Sequence, residues 1–69
     1  MQEFTLKNTD HIALCDLMKA ADLCESGGEA KHLISEGQVK VDGAVELRKR
    51  AKIRSGQVVE FKGQQVKVL

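Results

Sequence analysis

Arg48, Lys49, Arg50 and Lys52 place four cations within five consecutive positions, with Lys40 upstream of them. The chemistry open to such a cluster is the neutralisation of phosphate. Lysine and arginine displace counterions condensed on a nucleic-acid backbone, and arginine adds planar, bidentate hydrogen bonding. A basic run by itself is often only solvated surface, so its place in the chain decides its meaning.

A second grouping has different chemistry. His11 and Cys15 are four apart, the spacing of two metal ligands, or of a nucleophile and its base, on one helix face. Cys24 and His32 are the only other residues of those two types. No second two-ligand cluster with familiar spacing accompanies the pair, Cys-x-x-Cys is absent, and no oxyanion element is recognisable. The expectation is therefore no metal, no cofactor and no catalytic centre, with both cysteines as free, partly buried thiols.

The net charge of +1 conceals a division after Gly37. Residues 1 to 37 set three lysines against seven acidic residues, a balance of −4; residues 38 to 69 set eight lysines and arginines against three, a balance of +5. A positive part on a near-neutral chain suits a phosphate-bearing partner. At 69 residues, 42% hydrophobic, 30% charged and without proline, the chain reads as one globular domain, residues 1–69. Its first residues lack the basic and apolar regions of a signal peptide, and no apolar stretch approaches membrane-spanning length, so a cytoplasmic protein is expected.

The elements that must position these residues follow from periodicity. Phe4 and Leu6 alternate with polar neighbours, which predicts a short strand. Asn8, Thr9 and Asp10 are candidate N-caps for a helix over roughly residues 10–21, with Leu14, Leu17, Met18 and Ala21 on its apolar face. Ser26-Gly27-Gly28-Glu29 is a capping box that opens a second helix with an Ala30, Leu33 and Ile34 stripe, ended by Gly37. From Gln38 the period falls to two. Val39 and Val41 lead into an Asp42-Gly43 hairpin turn, and a strand at about 57–61 turns at Lys62-Gly63 and returns over 64–69. Between the hairpins, residues 46–54 read as an exposed basic loop. The fold class is α+β: two short helices on a small, mostly antiparallel sheet of hairpins.

A leucine-rich helix, Ser26 to Lys31, Gly37-Gln38-Val39-Lys40-Val41-Asp42-Gly43, a basic stretch and Ser55-Gly56 occur in that order. Over roughly residues 10–62 this resembles the RNA-binding domain named after small-subunit ribosomal protein four, and in particular the bacterial proteins in which that domain stands almost alone. The resemblance implies the αL motif and non-catalytic binding of structured RNA, ribosomal RNA or tRNA; beside it, a ribosome-associated monomer with no membrane or small-molecule ligand is expected. Carried over by position, Ser26 orders the second helix, Lys31 faces RNA from its exposed side and Lys40 flanks it. With Arg48, Lys49, Arg50 and Lys52 these make the expected RNA-binding set.

The chain departs from the family pattern in two places. Many members carry arginine directly after the serine, where this chain has Gly27 and Gly28, and many carry a basic residue early in the first helix, where it has His11. His11 and the two glycine amides, which lie at a helix N-terminus, are therefore additional candidates for RNA contact. The two aromatics, Phe4 and Phe61, lie in apolar strand patterns, so base-stacking platforms are missing and recognition is expected to follow backbone shape. The alternative is a protein-interaction adaptor whose basic face docks an acidic partner.

Overall fold

The computed structural model describes residues 1–69. Strands β1 (Gln2–Phe4), β3 (Val39–Val41), β4 (Ala44–Val45), β6 (Val58–Phe61) and β7 (Gln64–Val68) form one sheet in the order β1-β7-β6-β3-β4. Its pairs are antiparallel except β1 with β7, which run parallel. Strands β2 (His11–Ala13) and β5 (Lys52–Arg54) make a separate antiparallel pair. Helices α1 (Leu14–Ala20) and α2 (Gly27–Ser35) complete the α+β architecture.

Both hairpin turns have the geometry the sequence predicts. Asp42 and Gly43 take φ of 51° and 85°, and Lys62 and Gly63 take 51° and 78°, the paired positive values that match the twist of the flanking strands. Val59 then faces Val66, and Val39 faces Phe61, so one face of the sheet is continuous apolar surface. The helices cover that face with Leu14, Leu17, Met18, Ala30 and Ile34. All are fully buried, and the whole buried core is hydrophobic.

Helix α2 begins where the capping box places it, with Ser26 Oγ accepting the Glu29 amide at 3.1 Å. The return bond differs: Glu29 Oε1 accepts from the Glu25 amide at 2.9 Å, one residue before the cap. Gly37, at φ 78°, donates to Ile34 and Gln38 donates to Leu33, a Schellman stop that requires the left-handed residue. Helix α1 ends the same way with Asp22 at φ 63°, its amide on Lys19 and that of Leu23 on Met18.

Two expectations are overturned. Helix α1 starts at Leu14, and His11, Ile12 and Ala13 are a strand because they pair with Arg54, Ile53 and Lys52. None of Asn8, Thr9 and Asp10 caps the helix. Ala13 holds the N-cap position without a side-chain bond, and the first two helical amides go to main-chain carbonyls instead. Residues 46–54 are likewise not wholly an exposed loop. Ala51 is 6% and Ile53 1% exposed, and Lys52–Arg54 is strand β5, so the charged side chains flank residues that belong to the core.

Candidate nucleic-acid interface

The basic segment is fastened to the start of α1. Leu14 donates its amide to the carbonyl of Ala51 at 2.9 Å, and Cys15 donates to Lys49 at 3.1 Å. Two of the four orphan N–H groups at the helix N-terminus are thus satisfied by the main chain that carries the cations. Ile53, opposite Ile12 and buried, pins the segment from its other end. Because side chains alternate along a strand, Lys52 and Arg54 project from the face opposite Ile53.

Arg48, Arg50, Ala51 and Lys52 line one shallow, open concavity of about 450 Å³. Lys49, Arg50 and Lys52 are exposed and form no ion pair. Arg48 is different. Its Nε donates to Glu46 Oε2 at 3.0 Å, its Nη2 to Oε1 at 3.1 Å, and its own amide to Oε2 at 3.0 Å. These hydrogen bonds from Arg48 hold the Glu46 carboxyl below its ordinary pKa and raise that of the guanidinium.

The other predicted residues lie elsewhere. Lys31 is exposed on α2 and unpaired. Lys40 stands on the outer face of the sheet, opposite Glu60 and Val45, and is not part of the concavity. Ser26 is occupied as the cap of α2. Gly27 and Gly28 donate to no protein acceptor, and no side chain crowds Gly27, whose absent Cβ would meet nothing within 4 Å.

His11 sits on β2, so the helical four-residue spacing to Cys15 does not form, and Cys15 is buried at 1% exposure. The Nδ1 of His11 lies 2.6 Å from Asp10 Oδ1, while Arg54 Nη1 donates to Asp10 Oδ2 at 3.2 Å. The hydrogen bonds from His11 first and Arg54 second hold the Asp10 carboxyl below its ordinary pKa. Cys24 is a free thiol whose pKa is raised by burial. No cluster of three potential metal-ligating side chains forms, and no helix is long and apolar enough to cross a membrane.

Arg54, the last cation of the segment, stands outside the expected RNA-binding set, and the structure places it on the same strand face as Lys52, bonded to Asp10. The signal is present in Lys52-Ile53-Arg54, an alternation of polar and apolar residues that marks a strand with both charges on one face. Glu46 is missed as a partner of the site for another reason: an acidic residue beside a basic run reads only as reduced charge.

Two helices on a hairpin sheet, with an open basic segment docked on the first helix, define a small domain of the αL type. The chain belongs to the S4 domain family: the model of that family, described as S4 domain, matches residues 4–69. It is 55% identical over 69 residues to YbcJ of Escherichia coli (strain K12), covering 100% of this chain and 99% of that one. YbcJ is provisionally named an RNA-binding protein. RlbA of Bacillus subtilis (strain 168), provisionally named a ribosome maturation protein, is 39% identical over 56 residues, 81% of this chain and 79% of its own. The fold superposes on the solution structure of E. coli YbcJ with a TM-score of 0.77, covering 100% of this chain and 87% of that chain. That structure is described as revealing an αL motif involved in RNA binding.

Proposed function

We propose that this protein is a cytoplasmic, non-catalytic, monomeric RNA-binding module that recognises structured RNA, ribosomal RNA foremost, through the basic segment between β4 and β6. The observation that carries this reading is the trio Lys49, Arg50 and Lys52: exposed, free of carboxylate partners and held by main-chain bonds to α1. Unpaired cations on a fixed backbone meet phosphates without first breaking an internal ion pair. Arg48 joins them at the rim of the concavity, and Lys31, Lys40, His11 and the Gly27 and Gly28 amides serve as outlying contacts. Ser26 acts through the cap of α2.

The names of the two relatives support the class of ligand. RNA binding is the role given to YbcJ, and ribosome maturation the role given to RlbA. With Phe61 4% exposed and Phe4 half-buried, no exposed aromatic platform stacks bases, which favours recognition of RNA shape and phosphate.

The test is to purify the tagged protein from cells and ask what accompanies it. Ribosomal RNA retained through moderate salt is the expected result. A protein retained instead, with no RNA, would identify an adaptor that docks an acidic partner.

A further inference from the structure

Glu46 is an acidic residue at the edge of the basic segment, and counting charges would make it a defect in a phosphate-binding surface. Its geometry argues otherwise. The Glu46 side chain is 20% exposed and that of Arg48 79%, so the carboxylate is the sheltered member of the pair and the guanidinium faces solvent. Both carboxylate oxygens are engaged by Arg48, which adds its backbone amide to the two side-chain bonds. Two of the five N–H donors of the guanidinium are taken, which leaves Nη1 and the second proton of Nη2 for an external acceptor.

Resting on the RNA reading above, we infer that Glu46 is a positioning residue for RNA recognition, one that holds the Arg48 fork in a single orientation with its free edge toward a phosphate. An unrestrained arginine loses rotamer freedom when it binds, whereas one clamped beforehand has already lost it. The clamp also directs the planar guanidinium, which a lysine at the same place would lack. Electrostatics alone predicts the reverse outcome, because removing the carboxylate raises the net charge from +1 to +2 and brings more attraction for RNA.

The experiment is a double-mutant cycle on affinity for purified ribosomal RNA, using wild type, Glu46→Gln, Arg48→Ala and the double variant, each checked by thermal melting. Glu46→Gln should weaken binding by about two- to tenfold, the cost of ordering one long side chain on association, and have no effect in the Arg48→Ala background. If Glu46→Gln does not fold, Arg48→Lys keeps the cation but loses the fork, and should weaken binding similarly without changing the salt slope. Tighter binding by Glu46→Gln, or an equal loss with and without Arg48, would overturn the inference. So would an Arg48→Ala variant that binds like wild type. Absence of RNA binding by the wild type would instead remove the functional reading, and the clamp with it.

Discussion

The amide of Cys15, in the first turn of α1, donates to the carbonyl of Lys49 in the middle of the basic segment. Through this bond and its neighbour from Leu14 to Ala51, the helix start and the cation-bearing main chain form one unit. Amides in a helix's first turn usually exchange with solvent freely, because they lack intrahelical acceptors. Here hydrogen exchange should be slow at Leu14 and Cys15 and fast at Gly27 and Gly28, which start the other helix without acceptors. Equal rates at the two helix starts would show that the segment is not docked.

Ile53 lies between two basic residues yet is 1% exposed. Ile53→Ala should cost about 2–5 kcal/mol in denaturant unfolding, the range for truncating a buried aliphatic side chain. Lys52→Ala should change stability by no more than about 0.5 kcal/mol, as at an ordinary surface site. Similar small effects for both would return residues 52–54 to a solvated loop.

Ser26 contributes to the fold through its bond from the Glu29 amide. Ser26→Ala should cost about 1 kcal/mol, a fall of roughly 4–8 °C in Tm for a domain of this size. Glycine there should cost only a few tenths of a kcal/mol. An unchanged Tm for the alanine variant would mean that the cap contributes nothing.

Most of the fold was legible because its signals are local. Ser26 with Glu29, Asp42-Gly43 and Lys62-Gly63 each place an element boundary with residues at most three apart, and the structure keeps all three. What escaped were pairings between distant segments. The β2 and β5 strands are three residues each, and β2 precedes the apolar stripe of α1 so closely that its residues read as the helix's first turn. The charges around Ile53 hid its alternation. That Lys49, Arg50 and Lys52 are exposed was legible from their types. The Glu46 clamp was not, since a two-residue separation brings side chains together only in a particular backbone geometry. Neither was the bond from Arg54 to Asp10, across 44 residues.

Acid should destabilise the protein through two identified carboxylates. Asp10 and Glu46 both have pKa values lowered by hydrogen bonds they accept, from His11 and Arg54 in the first case and from Arg48 in the second. A lowered folded-state pKa means that the unfolded chain binds more protons at acid pH. The contribution is present above the ordinary carboxylate pKa of about 4 and is lost as pH falls through the lower folded-state values. Tm measured against pH should decline below about pH 4, and Asp10→Asn or Glu46→Gln should flatten that decline. Asp10 is 77% exposed, and Arg48, the partner of Glu46, is 79% exposed, so each effect should be modest and reduced by salt. A decline of unchanged steepness in both variants would assign it to other groups.

Whether the segment carrying Arg48, Lys49 and Arg50 grips RNA through its phosphates is tested most directly by a salt titration of binding to purified ribosomal RNA and tRNA. The wild type should show a steep log-log slope. The folded Arg48→Ala, Lys49→Ala, Arg50→Ala triple variant should show a slope shallower by roughly 0.7–0.9 for each phosphate it no longer neutralises. A variant slope equal to that of the wild type, or no binding by the wild type even at low salt, would contradict phosphate recognition by this segment.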